Sequence, residues 1–135
     1  MIGKECITAA HFCIMKQGEH VFIKQNEIKP IEFDGLQIFD YTANQDTQSS
    51  FAEITVPSGI SHKISWSKRS DKTYYVIQGK VDFSIGEEQK QLSSGDVCII
   101  PKGIRFSYIN QGTEEAKLIL VHTPSFQLES EVFED

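Results

Sequence analysis

Short apolar runs, each cut off by a turn signal within about eight residues, leave this chain little room for anything but β-structure. IKPIEF, LQIFDYTA, SFAEITV, TYYVIQ, KVDFSIG, DVCIIP, RFSYIN and AKLILVHT are rich in Val, Ile, Phe and Tyr and are separated by Gly, Pro, Asn or Asp. In Lys80-Val81-Asp82-Phe83-Ser84-Ile85 every second residue is apolar, the period of a strand with one solvated face. The break at Gly86-Glu87-Glu88 predicts a hairpin returning through Lys90-Gln91-Leu92, and the polar stretch ANQDTQSS predicts an exposed loop. Helical periodicity is weak. Its best candidate is a short N-terminal helix over ITAAHFCIMKQ, stopped by Gly18, and a strand fits there almost as well.

Composition narrows the class further. With 135 residues and no shift of composition, one domain spanning 1–135 is the expectation: N-terminal elements over 1–49, a core over about 50–124 and an acidic tail over 125–135. A hydrophobic fraction of 39% and a charged fraction of 24% are those of a soluble globular chain, and no apolar run is long enough to span a bilayer. The net charge of -6 would repel a phosphate backbone, so nucleic acid is not an expected partner, nor is a membrane. Three cysteines, Cys6, Cys13 and Cys98, are odd in number and lack C-x-x-C spacing, so neither a disulfide framework nor a zinc site is implied, and a cytoplasmic location is expected.

Two glycine-anchored segments carry the functional argument. GDVCIIPKGIRFSYIN runs Gly95, five residues, Pro101, one residue, Gly103, two residues, Phe106, three residues, Asn110. Its glycines and proline suit tight turns between strands. GISHKISWSKRSDKTYYVIQG runs from Gly59 through Ser65, Ser67 and Lys72 to Gly79. Together the segments resemble the two conserved motifs of the cupin superfamily, in which the first motif supplies two histidines and a glutamate to a metal and the second supplies one histidine. The structural positions match at Gly59, Gly79, Gly95, Pro101, Gly103 and Asn110, whereas the four ligand positions hold Ser65, Ser67, Lys72 and Phe106. The resemblance implies an all-β double-stranded β-helix, a jelly-roll barrel whose mouth lines the site.

The replaced ligands argue against the usual metal. Divalent first-row cations need lone pairs from imidazole, thiolate or carboxylate. Phenylalanine has none, protonated lysine has none and repels a cation, and neutral serine is a weak ligand. A displaced site would have to draw on His62 and His122, which are far apart in sequence; no metal and no cofactor are expected.

Strand alternation places Ser65 and Ser67 on one face, Lys72 and Tyr74 on one face of the next strand, and Phe106 and Tyr108 on a third. If these faces point inward, as the resemblance implies, Ser65, Ser67, Lys72, Tyr74, Phe106 and Tyr108 form a ligand-binding set of hydroxyls, an amine and aromatic walls. The plain alternative is that the aromatics fill a barrel that holds no ligand. A lysine in such a place is expected to snorkel to the mouth; the alternatives are an acid such as Asp82 or Glu53, or an anionic ligand. Trp66, between the two serines, is expected outside, where it suits a subunit interface, and the resemblance implies a homodimer.

The first functional expectation is therefore a metal-independent cupin binding a small polar or anionic metabolite. A metal-free isomerase or epimerase acting on a sugar or keto acid is the second, and a non-catalytic interaction module with a filled barrel is the third.

Overall fold

In a computed structural model, the described residues are 18–134 together with Cys6, Ile7, Phe12 and Cys13. Two-residue strands β1 (Cys6–Ile7) and β2 (Phe12–Cys13) pair antiparallel. At Ile7, Phe12 and Cys13 the stretch ITAAHFCIMKQ thus forms strand, the alternative to the short helix that was its first expectation; the rest of that stretch lies outside the described residues. No described helix is long and apolar enough to cross a membrane.

The body is two facing antiparallel sheets. One contains β3 (Ile31–Phe33), β4 (Leu36–Asp40), β5 (Ser50–Val56), β7 (Asp71–Gln78), β10 (Val97–Ile100) and β12 (Ala116–Thr123), in the spatial order β10-β7-β12-β5-β4-β3. The other contains β6 (Ser61–Ser67), β8 (Lys80–Ile85), β9 (Glu88–Ser93), β11 (Phe106–Ile109) and β13 (Glu131–Phe133), in the order β13-β6-β11-β8-β9. From β5 to β13 consecutive strands alternate between the sheets, except that β8 and β9 pair as the hairpin expected around Gly86, and this is the jelly-roll arrangement expected of the two motifs. The eight apolar runs all contribute strands, because each supplies one apolar face to the space between the sheets.

Turn chemistry places the strands. Asp34 and Gly35 both have positive φ, 52° and 91°, and Phe33 pairs with Leu36, the two-residue hairpin loop that needs left-handed backbone at both positions. Gly79 (φ 82°) links β7 to β8, and a Cβ there would lie 3.0 Å from Ala116 Cα. Asn110 is buried: its Nδ2 donates to the carbonyls of Val56 (2.9 Å) and Glu114 (2.8 Å), and its Oδ1 accepts from Gly112 N (2.9 Å).

The interior is layered by register. Across β7, β12 and β5, Val76, Leu118 and Ile54 form an aliphatic row; Tyr74, Leu120 and Ala52 form the next; Lys72, His122 and Ser50 form a polar row at the end of the sheet. All nine are buried. The acidic tail docks along the second sheet, Glu131 pairing with Ser67, Val132 with Trp66 and Phe133 with Ser65. Ser50 Oγ accepts from Phe126 N at 2.6 Å, and an Arg105–Glu134 ion pair holds the far end.

Candidate functional site

A cavity of about 380 Å³ lies against the inner face of the larger sheet, where the rows pass from aliphatic to polar. Its walls are mostly apolar, and the tail supplies one side through Phe126, Leu128, Glu131 and Phe133. The polar groups on it are few: Asp40, Ser50, His62, Lys72, Tyr74, Tyr108, His122 and Glu131. Apolar walls with a small number of convergent polar groups are the common composition of small-molecule pockets in proteins generally.

Lys72 reaches this wall by strand alternation, and it does not snorkel. It is 5% exposed, and its Nζ lies 2.5 Å from Glu131 Oε1, whose side chain is 1% exposed. The partner is neither Asp82 nor Glu53 but an acid of the tail, 59 residues away. Docking the tail delivers a carboxylate to the one place where a buried ammonium needs it. Burial lowers the Lys72 pKa and Glu131 works against that shift. The pair carries no net charge, so the cavity has no free cation at this point.

His62 enters the wall through a bulge. β11 pairs Phe106 with Ser65 and Tyr108 with His62, two residues against three, so the register shifts between them. The extra residue reverses the alternation of β6 and turns His62 to the same side as Ser65 and Ser67. Its ring stacks on Phe106 (5.3 Å between centroids) and meets Tyr108 at 5.1 Å. Nδ1 lies 2.7 Å from the carbonyl of Lys63. A carbonyl only accepts, so Nδ1 carries the proton and the lone pair of the neutral ring sits on Nε2. Burial pushes the pKa down to about 4, with Lys72 adding to the effect, so the ring is neutral at pH 7.

Tyr108 and Tyr74 are both 1% exposed, with rings 5.5 Å apart in an edge arrangement. Burial raises both phenols, so they stay protonated, and each bears on the other. The Tyr108 hydroxyl bears on that of Tyr74, and no other side chain or backbone group among the described residues meets it. His122 Nε2 and Glu131 Oε2 have no hydrogen-bond partner among the described residues. Burial brings the His122 pKa down to about 3, again with help from Lys72. His122 Nε2 from the larger sheet and Glu131 Oε2 from the smaller one are thus two buried polar atoms of cavity-lining residues left unsatisfied by protein, which is costly unless a ligand meets them.

Of the residues expected to bind a ligand, the structure brings Lys72, Tyr74 and Tyr108 to the cavity. Ser65, Ser67 and Phe106 are buried nearby and are not among its lining residues. Ser67 Oγ instead accepts from the backbone of Arg69 (3.1 Å) and Ser70 (2.9 Å), shaping the turn into β7. Phe106 underlies the ammonium, with Lys72 Nζ 5.2 Å from its ring centroid. His62, His122 and Glu131 are additions. The two histidines, considered only as metal ligands in the sequence, share the cavity wall.

The family's metal does not fit this site. Phe106 offers no donor, Lys72 is engaged with Glu131, and among the described residues no three His, Cys, Asp or Glu side chains converge as metal ligands would.

Two closely facing sheets, two glycine-anchored motifs and a lined interior define a small barrel of the cupin type. The chain belongs to the cupin family: residues 52–122 match the family model described as Cupin domain. A curated relative, the inner kinetochore subunit cnp3 of Schizosaccharomyces pombe, is 26% identical over 77 residues, 56% of this chain and 12% of that protein. The chain therefore spans only about an eighth of that relative's length. Among solved structures, a variant of Streptomyces PAC13 with uridine, in which one histidine is replaced, has a TM-score of 0.76 at 20% identity and covers 87% of this chain and 92% of that one. The same protein, Pac13, is described as a nucleoside dehydratase, and two further variants with uridine each replace a tyrosine. KdgF from Halomonas sp. has a TM-score of 0.72 at 17% identity, covering 82% and 98%. At these identities the likeness is one of fold.

Proposed function

We propose that this cupin binds a small, polar, uncharged metabolite of about nucleoside size without a metal, and that His62 and Tyr108 carry out proton transfer on it. The observation that carries the reading is a neutral imidazole with its lone pair on Nε2 beside a buried, protonated phenol, ring centroids 5.1 Å apart, both on a cavity of about 380 Å³. A base and an acid within reach of one ligand are what proton abstraction, isomerisation or elimination of water require. In an elimination, His62 Nε2 would take a proton from carbon, the electron pair would form the double bond, and Tyr108 would protonate the departing hydroxyl.

Neutrality of the ligand follows from the Lys72–Glu131 pair, which removes the charge that an anion would seek. Spacing supports the nucleoside class. The histidine and two tyrosines replaced in the Streptomyces variants stand 13 and then 34 residues apart, and His62, Tyr74 and Tyr108 stand 12 and then 34 apart. A thermal-shift panel of nucleosides, sugars and keto acids on chelator-treated protein tests the reading. Stabilisation by nucleosides that is lost in His62→Gln is expected; stabilisation by keto acids alone, or by nothing in the panel, would sink it.

A homodimer is part of the proposal. Trp66 is half-buried beside the docked tail, so the exposed apolar surface lies elsewhere, on the outer face of β7 and β10 at Tyr75, Val97 and Ile99, exposed by 42%, 50% and 65%. Tyr75 pairs with Val97, so these side chains form one patch suited to a second copy. Sedimentation of wild type against Ile99→Lys checks this: a shift to monomer is expected, and an unchanged mass would place the interface elsewhere.

A further inference from the structure

Lys72 and Glu131 are more than a buried ion pair. Only one carboxylate oxygen is used: Oε1 accepts from Lys72 Nζ at 2.5 Å, while Oε2 is buried and has no partner among the described residues. A lysine ammonium has three N–H donors, and one is accounted for here. Both residues line the cavity, and His122, paired with Lys72 in register, lines it beside them with Nε2 unpartnered. A purely structural pair would be expected to turn both oxygens toward protein donors, since a half-satisfied buried carboxylate is costly.

We propose that Lys72 and Glu131 read a ligand edge that places a hydrogen-bond acceptor next to a donor, the –CO–NH– edge of a pyrimidine imide. Lys72 donates to the carbonyl and Glu131 Oε2 accepts from the N–H. The donor and acceptor on the protein side are held adjacent by their own ion pair, so the edge is matched in order as well as in polarity. A carboxylate or phosphate would meet Glu131 as a like charge. An edge of reversed polarity, as in cytosine, would set its amino group against Lys72 and its ring nitrogen against Glu131. A vicinal diol can satisfy the same two groups, and the test separates it from the imide. His122 adds a neutral ring nitrogen that can take either role.

The inference rests on the small-molecule reading and makes it specific. Calorimetric titration of the full chain with uridine, cytidine, 3-methyluridine and 2′,3′-dideoxyuridine tests it. Uridine is expected to bind at least about tenfold more tightly than cytidine and 3-methyluridine, which lacks the N–H, and about as tightly as the dideoxy compound. Glu131→Gln turns an acceptor into a group that can donate, so it should narrow the preference for uridine over cytidine. In Lys72→Met/Glu131→Leu, which removes both charges together and spares the fold an unpaired one, the discrimination should disappear. Equal binding of uridine and 3-methyluridine, or a loss confined to the dideoxy compound, would overturn the edge reading while leaving a small-molecule site in place. Failure of every nucleoside to bind would also overturn it, and sugars and keto acids then decide the wider reading separately.

Discussion

Separating Lys72 from Glu131 is the sharpest perturbation of the site's architecture. At 2.5 Å, with an effective dielectric constant of about 20, the gross attraction is roughly 6–7 kcal/mol. Most of it offsets the cost of withdrawing both charges from water, since the side chains are 7% and 1% exposed. Lys72→Met leaves Glu131 charged and buried; Glu131→Leu does the same to Lys72. Each single change is expected to cost about 3–5 kcal/mol, and the double change, which leaves an apolar pair, about 0–2 kcal/mol. The coupling energy should therefore be about 4 kcal/mol or more, above the range of most contacting pairs because both charges are buried. Urea titration of the four proteins with a common m-value measures it, and melting temperatures should fall by about 4 °C per kcal/mol. If the double variant were as unstable as the sum of the singles, the two groups would not interact and the tail would be held by something else.

Other consequences are open to simpler tests. Burial holds His62 near a pKa of about 4 and His122 near about 3, against 6.5 unfolded, so the unfolded chain binds more protons below pH 6.5. Stability should thus be full above pH 6.5 and fall as the pH drops toward 4, by roughly 2 kcal/mol per histidine at pH 5, and the loss should shrink in His122→Phe; a flat profile from pH 7 to 5 would contradict the burial argument. Tyr108→Phe removes a buried hydroxyl whose one protein neighbour is the Tyr74 hydroxyl, so urea melts should show a loss of no more than about 1 kcal/mol, while proton exchange between ligand and deuterated solvent falls at least about a hundredfold. Asn110→Ala breaks three hydrogen bonds at a buried site, and an equilibrium melt should record a cost of about 2–4 kcal/mol.

The barrel was legible because its signals are local. Each strand run carries its own alternation and ends at its own turn, and Asn110, read only as a fixed position of the second motif, binds three backbone groups. Lys72, Tyr74 and Tyr108 followed from counting by twos along unbroken strands. His62 did not, because one extra residue in β6 inverts the count, and nothing in SHKISWS marks where that residue sits. Glu131 was beyond local reading for a different reason. Its role depends on the tail returning to pair with β6, which brings Glu131 to Lys72 across 59 residues, and an acidic ending resembles a solvated one until its partner is known. Phe106 was legible as a lost ligand; that it would underlie Lys72 and stack on His62 depends on both of those placements.

The central claim is that a cupin whose metal ligands have been replaced binds an uncharged ligand with its own side chains. Titration of uridine into chelator-treated protein, followed by calorimetry with and without added divalent metal, tests it most directly. One site per chain is expected, unchanged by metal and weakened at least tenfold by Tyr108→Phe. Binding that appears only when metal is restored, or that is indifferent to Tyr108, would contradict it.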